Sequence, residues 1–337
     1  MFVGPNASGK TNAIIALRVL LEMLFKDELT KLNNYNCFFS HETDIELGYD
    51  FTINNQTINY VIKYDFLKNV LSEKLTLDGK IILNRMGNNA ESLITENNTF
   101  DDLDNDILLL RTIYFNTKFR GNDTLKSWFE FLSNSAYVNP FKRHIFSPSK
   151  DTMSLNDYLD NNNVNDINCF LSEYNFRQQI EYDKKSSGNR VRMETDGDSR
   201  YIFFKRDGIG EPIPYEWESL GNQNLLNVLP PFFHVINHGG MLLIDEFSSG
   251  FHNELEELLV KYFFSKSKSS QILFVTHSTN LLSTSILRPD QIYSVDFNDT
   301  EGSVIKRFSD EKPREAQNLE RMYVSGVFNG LPNYEKI

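Results

Sequence analysis

The sequence predicts an α/β protein: a central, mainly parallel sheet, an antiparallel β-meander arm and a helical insertion. Three observations predict it. A phosphate-loop pattern opens the chain, two apolar runs of period two follow between residues 45 and 85, and short continuous apolar strands alternate with helices in the last third.

Gly4, Pro5, Asn6, Ala7, Ser8, Gly9, Lys10 and Thr11 fit the loop G-x-x-x-x-G-K-[ST], and with the following Asn12 they are the candidate phosphate-binding positions. In such a loop backbone N–H groups turn inward on the α- and β-phosphates, a lysine reaches the β/γ-phosphates, and the hydroxyl holds Mg²⁺. The loop needs a strand before it, and only Phe2 and Val3 are left to end that strand here. The strands expected ahead of Gly4 are therefore missing, which predicts a late start site or a truncation. From Asn12 to Phe25 the chain carries Ile14, Ile15, Leu17, Val19, Leu21 and Leu24 without Pro or Gly, a helix whose N-terminus faces the phosphates. Ile45 to Ile53 and Ile58 to Phe66 alternate around Asn54-Asn55-Gln56, which predicts a hairpin. Asp78-Gly79 predicts the turn between a third and a fourth strand.

From about Leu103 to Phe176 the pattern is helical and broken. Trp128, Phe129, Phe131 and Leu132 predict one helix ending near Asn139-Pro140, and Ile167, Phe170, Leu171 and Tyr174 another. Strands are expected at 191–193 and 201–204. Beyond them Leu225–Val235 reads as helix, Gly240–Ile244 as buried strand, Glu254–Phe264 as helix and Ile272–Val275 as buried strand. The chain so read is one domain over 1–337. Residues 1–30 hold the loop and first helix, 45–85 the meander, 100–215 the insertion and 216–337 the remaining motifs.

Those motifs sit at strand ends. Met241-Leu-Leu-Ile-Asp245-Glu246 places two carboxylates after a buried strand. Asp245 is the candidate Mg²⁺ residue and Glu246 the candidate general base for an attacking water. Ile272-Leu-Phe-Val-Thr276-His277 ends a second such strand one helix later. Parallel sheets bind ligands at the carboxyl ends of their strands, so His277 is placed to sense a γ-phosphate. Glu218-Ser219-Leu220-Gly221-Asn222 opens a helix, with Ser219 in the position of an N-cap.

Together these motifs resemble the ABC superfamily: Walker A, a long insertion, the signature, Walker B and a switch histidine, in that order. With no apolar run long enough for a membrane span, the likeness shifts to SMC/RecF/OLD-type ATPase heads. Phe170-Leu-Ser-Glu-Tyr-Asn-Phe176, Leu243-Ile-Asp-Glu-Phe-Ser-Ser-Gly-Phe-His252 and the closing Tyr323, Gly326, Gly330 and Pro332 are similar to AAA ATPases of bacterial abortive-infection and anti-phage systems. Asn222 departs from the second glycine of the transporter signature, and no glutamine-loop residue stands out.

The resemblance implies an ABC-type P-loop head that binds ATP and Mg²⁺. It implies a homodimer or higher homo-oligomer with ATP sandwiched between subunits. Lys10, Thr11, Asp245, Glu246 and His277 would act in cis; Ser219 and Gly221 would act in trans. Ser248 and Ser249 would lie in the loop that crosses the interface, or cap the following helix, and His252 would be interfacial or structural. The implied role is the sensor or scaffold ATPase of an anti-phage system. Only 60 residues follow His277, too few for an appended TOPRIM nuclease, so a separate TOPRIM-like effector is expected. A RecF/SMC-like DNA-repair clamp and a non-hydrolysing nucleotide-bound scaffold are the alternatives. No N-K-x-D motif supports a GTPase.

Composition bounds the rest. Across 337 residues, 34 basic and 46 acidic side chains leave a net charge of −12, which argues against a protein coated for non-specific DNA binding. Residues 177–206 run the other way, at net +3 from Arg177, Lys184, Lys185, Arg190, Arg192, Arg200, Lys205 and Arg206 against five acids. This stretch reads as a solvated hairpin face that could touch nucleic acid or an acidic partner; the resemblance to anti-phage ATPases adds a phage protein as a candidate partner. Asp104-Asn-Asp106 and Asp196-Gly-Asp198 have the form of nuclease metal sites and read as turns. Cys37 and Cys169 occur in no metal or disulfide pattern and read as buried thiols. No signal peptide is seen, so a cytoplasmic protein is expected.

Overall fold

The structure, a computed structural model, describes residues 1–26, 32–35, 42–95, 99–149, 153–183, 201–298, 302–314 and 317–331. The chain divides into two compact units, Met1–Ile14 with Ala136–Ile337, and Ile15–Ser135. The boundary falls within the helix α1 (Lys10–Phe25), which follows the two-residue strand β1 (Phe2–Val3).

The unit of residues 15–135 is an antiparallel meander with helices. Its strands are β2 (Asp44–Ile53), β3 (Gln56–Asp65), β4 (Val70–Leu77), β5 (Lys80–Met86), β6 (Asn89–Ser92) and β7 (Thr99–Phe100), paired in that order. Helices α2 (Leu109–Thr117) and α3 (Asp123–Ser133) follow. Both expected turns are present: Asn54 and Asn55 lie at φ 51° and 61°, and Asp78 and Gly79 at 49° and 79°. Two successive left-handed residues match the right-handed twist of the flanking strands. Alternation puts Ile58, Tyr60 and Ile62 into the core. Glu73 is buried there among donors: Arg85 Nη1 at 3.1 Å, Tyr60 Oη at 2.8 Å and the first backbone N–H groups of α2 from Leu109 and Leu110. That satisfies a charge that would otherwise be costly to bury.

The other unit carries the parallel sheet. In chain order its further elements are β8 (Ala136–Asn139), β9 (His144–Phe146), α4 (Leu155–Asn162), α5 (Asn165–Glu173), β10 (Gln178–Asp183), β11 (Tyr201–Arg206), β12 (Ile213–Pro214) and α6 (Leu220–His238). Then come β13 (Gly240–Ile244), α7 (Asn253–Lys266), β14 (Ser270–Phe274), β15 (Tyr293–Asn298), β16 (Gly302–Arg307) and α8 (Leu319–Val324). Strands run β9-β8-β13-β14, with β8, β13 and β14 parallel. A parallel bridge from Val275 to Phe2 continues the sheet into β1, which pairs in parallel with β15, which pairs antiparallel with β16. So β1, although two residues long, is bonded on both sides. Strand β13 is buried along its whole length, as a strand inside a parallel sheet requires. Helix α6 packs on β8, β13 and β14. Leu225, Leu229, Phe232, Leu242, Ile244, Val260 and Phe263 share one core.

Two expectations are corrected. The helix expected to end near Asn139-Pro140 stops at Ser133, and Ala136–Asn139 is a buried strand. Four residues are too short for a period to show, and the parallel partner Leu242–Ile244 decides their state. Cys169, expected to be buried, is exposed on α5. The strand expected at 191–193, Cys37 and Asp196-Gly-Asp198 lie outside the described residues. Asp104-Asn-Asp106 is a turn, with the Asp106 N–H donating to Asp104 Oδ1 at 3.0 Å.

Candidate functional site

The phosphate loop leaves β1 at Gly4. A Cβ on Gly4 would come within 2.1 Å of the Val295 carbonyl oxygen, so only glycine lets the loop turn away this close to β15. Ala7 holds a left-handed backbone at φ 62°, and Asn6 and Ala7 form the exposed crest. The Ser8 N–H donates to Pro5 O at 3.4 Å, and the Asn12 N–H to Gly9 O at 2.9 Å, closing the turn into α1. Lys10 is 5% exposed, and its ammonium donates to Gly4 O at 3.0 Å and Pro5 O at 2.7 Å. Burial lowers its pKa, while Glu246 and Asp245 raise it. The cation is thus held in the loop mouth by carbonyls and two nearby carboxylates.

Strand order brings the remaining groups to the same edge. Thr11 Oγ1 donates to Asp245 Oδ1 at 3.0 Å. Asp245, 3% exposed at the end of β13, also accepts from Asn139 Nδ2 at 3.0 Å through Oδ2. Glu246 follows at φ 59°. A left-handed glutamate costs of order 1–3 kcal/mol and marks a site whose surroundings impose it. The turn is fixed by the Phe247 N–H on Val275 O at 2.9 Å and the Ser249 N–H on Glu246 O at 3.0 Å. His277, just past β14, brings Nε2 to 3.9 Å from Glu246 Oε2. Burial and the Lys10 charge lower the His277 pKa, and Glu246 raises it less. Its ring is therefore neutral at neutral pH and can offer one N–H and one lone pair.

These atoms suit a magnesium nucleotide. A hydroxyl and a carboxylate are hard oxygen ligands, and Mg²⁺ is characteristically held by one or two such groups with phosphates and water completing the shell. Among the described residues no group of three or more His, Cys, Asp or Glu side chains offers an all-protein cage.

Asn139 is absent from the sequence-based site because the helical pattern around Trp128 to Leu132 extends the expected helix to it. A signal was present: Ala136-Tyr137-Val138 is an apolar run ending in a polar residue, as Leu242-Leu243-Ile244 is before Asp245. Partners that orient a metal-binding carboxylate typically change metal affinity 10–100-fold when removed. Asn139→Ala is thus expected to raise the Mg²⁺ concentration for half-maximal nucleotide binding about 10-fold, read by fluorescent-nucleotide titration. An unchanged Mg²⁺ dependence would free Asp245 from Asn139.

The signature segment is built differently. Ser219 caps α6, accepting from the Asn222 N–H at 3.3 Å, and is exposed between the exposed Trp217 and Leu220. Glu218 accepts the Ser219 N–H at 2.7 Å and holds Arg206 Nη2 with both oxygens, at 2.7 and 2.6 Å. A Cβ on Gly221 would fall 2.6 Å from Gly250 O, so the close approach of the loop after β13 demands glycine. Asn224 Nδ2 adds a bond to Ser249 O at 3.2 Å. Ser248 and Ser249 do not cap α7; His252 does, through its Nδ1. Ser248 Oγ instead accepts the His277 N–H at 3.3 Å. Of the basic stretch, Arg177, Lys205 and Arg206 are described, and Lys205 and Arg206 pair with Glu181 and Glu218.

A strand-seated phosphate loop with Asp, Glu and His presented at the neighbouring strand ends is the arrangement of a P-loop nucleotide-binding domain. Residues 1–283 match the family described as an AAA domain, putative AbiEii toxin, type IV TA system, and the chain belongs to that family. No curated protein matches it. Among solved structures it is similar to the SMC head domain from Thermotoga maritima, at 16% identity and TM-score 0.46, covering 91% of this chain and 88% of that one. It is similar to the SmcHead bound to the C-winged helix domain of ScpA, at 13% identity and TM-score 0.49, covering 92% and 90%. A third is the Smc head domain with an extended coiled coil bound to the C-terminal domain of ScpA derived from Pyrococcus furiosus, at 11% and 0.40, covering 92% and 90%. Among the described residues no helix is long and apolar enough to cross a membrane.

Proposed function

We propose that this protein hydrolyses ATP at a site completed by a second copy, and serves as the sensor or scaffold ATPase of an anti-phage, abortive-infection system. The observation that carries the hydrolytic reading is the meeting of Lys10, the Thr11–Asp245 pair, Glu246 and His277 at one sheet edge. Lys10 and the first N–H groups of α1 bind and orient the phosphates. Bound Mg²⁺, held through Thr11 and Asp245, supplies charge neutralisation. Glu246 takes the proton of the attacking water, and neutral His277 donates to the γ-phosphate.

The defence role rests on the family's description. Exposed Ser219, Trp217 and Leu220 support a second copy as the partner that supplies the signature. Hydrolysis then removes the contact between a γ-phosphate and Ser219, so dimer geometry is the output. A separate effector such as a TOPRIM-like nuclease, and a cytoplasmic location, belong to the same reading. The test is light scattering on Glu246→Gln with and without ATP and Mg²⁺. ATP should double the mass. Adding Ser219→Arg should keep the protein monomeric while leaving nucleotide binding intact. An ATP-induced dimer that tolerates Ser219→Arg would remove the signature from the interface.

A further inference from the structure

Glu256 has no part in the chemistry above, yet it is a fully buried carboxylate beside the switch histidine. It lies in the first turns of α7. Its Oε1 accepts from Ser278 Oγ at 2.9 Å, one residue past His277. Its Oε2 makes no hydrogen bond of ordinary geometry among the described residues. The buried Thr276, one residue before His277, is the other hydroxyl that favours the charge. Glu256 thus reaches both neighbours of His277 in the chain. The contact is one of several on the same loop. The His277 N–H donates to Ser248 Oγ, Asn280 Nδ2 to Asn253 O at 3.2 Å, and Thr279 Oγ1 to Glu320 of α8 at 2.6 Å.

We propose that Glu256 is a positioning residue for ATP hydrolysis, fixing the His277 loop through Ser278 and Thr276 and tying it to the start of α7. The inference rests on the hydrolytic reading. A hydrophobic side chain would fill the same space without the cost of a buried carboxylate, so packing alone gives no reason for an acid here. Tied to Glu256 through Ser278 Oγ and to Ser248 Oγ through the His277 N–H, the backbone of residues 276–278 is restrained, and so is the imidazole it carries. The same helix follows the Ser248–Gly250 loop that lies against Gly221. A displacement of that loop therefore reaches His277 through a hydrogen-bonded path.

The energetics separate positioning from mere packing. Burial pushes the Glu256 carboxyl up from 4.5 to about 7, against the pull of the Ser278 and Thr276 hydroxyls. The titratable groups on the elements that meet there are His277 on the loop, Glu320 on α8, and His252, Glu254 and Glu257 on α7, with Glu257 paired to Lys261; the shift itself comes from burial and the two hydroxyls. A carboxyl raised in this way adds stability that is present below 4.5 and lost as pH rises through about 7. Above that pH the charge is a burden on the fold. Glu256→Gln removes the burden and weakens the charge-assisted hold on the loop.

The experiment compares wild type, Glu256→Gln, Ser278→Ala and the double variant at pH 8. It measures melting temperature, kcat and KM for ATP, and hydrogen exchange of residues 276–280 in nucleotide-free protein. Glu256→Gln should melt no lower than wild type and turn over about 5–10-fold more slowly, with KM within about twofold. Ser278→Ala should slow turnover similarly, and the double variant no further, because one linkage is cut twice. Exchange should rise over 276–280 and not over the phosphate loop. Wild-type kcat with unchanged exchange in Glu256→Gln would overturn the proposal. So would a slower variant that melts lower and exchanges faster throughout. If the wild type hydrolyses no ATP, the hydrolytic reading fails by itself, and the exchange measurement still decides whether Glu256 fixes the loop.

Discussion

Glu246→Gln is expected to lower the rate of ATP hydrolysis about a thousandfold while leaving ATP affinity within about threefold of wild type. The amide keeps the size of the carboxylate and loses the basicity. General bases contribute 10²–10⁴-fold, and the middle of that range is expected at a site where one carboxylate alone is placed for the task. The geometry supports that assignment. Asp245 is buried and commits its two oxygens to Thr11 and Asn139, whereas Glu246 turns away on a left-handed backbone and remains half-exposed. His277 does not replace it, because its lowered pKa and the nearby Lys10 charge fit it for donating rather than for taking a proton. Single-turnover hydrolysis with radiolabelled ATP measures the step directly. Wild-type turnover in Glu246→Gln would move the base elsewhere.

Lys10→Ala should abolish measurable nucleotide binding at micromolar protein. The ammonium already sits in the loop mouth on Gly4 O and Pro5 O, so it needs little movement to reach a phosphate oxygen. Hydrogen bonds to charged groups are worth about 1.5–3 kcal/mol each. Losing two corresponds to a fall in affinity of at least about a hundredfold. The Lys10 pKa is lowered by burial and raised by Glu246 and Asp245, so replacing it also removes the ammonium that offsets two nearby carboxylates. Isothermal titration with a non-hydrolysable ATP analogue reads the loss. Unchanged affinity would take the phosphate loop out of the account, whatever the fate of Glu246.

Much of this was legible in the sequence where local chemistry decides. The loop between Gly4 and Thr11 states its own geometry through residue type and spacing. Asn54-Asn55 and Asp78-Gly79 name their turns because few other residues tolerate two left-handed positions in a row. Strand β13 showed itself as an unbroken apolar run, and Asp245 and Glu246 followed. What was hidden depends on distant partners. Ala136–Asn139 becomes strand because β13 lies alongside, and Asn139 enters the site only through that pairing. Glu254, Glu256 and Glu257 look alike along an acidic helix, and the packing of α7 alone singles out Glu256 as buried. Cys169, in a mixed helical stretch, gave no sign of which face it would take. The order of strands was equally out of reach: nothing in Phe2-Val3 says that Val275 and Tyr293 will flank it.

That flanking has a consequence for how the protein is made. Strand β1 finds its partner in β15 roughly 290 residues further along, and Gly4 turns against Val295. Ser294 Oγ in turn bonds Phe328 O at 2.6 Å. At about 5–20 residues per second, a ribosome that has finished the phosphate loop needs roughly 15–60 s more to supply the strand that seats it. During that interval the growing chain carries the nucleotide motif without the framework that shapes it. Competence for ATP thus arrives late in synthesis, and a nascent chain cut short before β15 would release a protein with its loop intact in sequence and its strand paired on one side only.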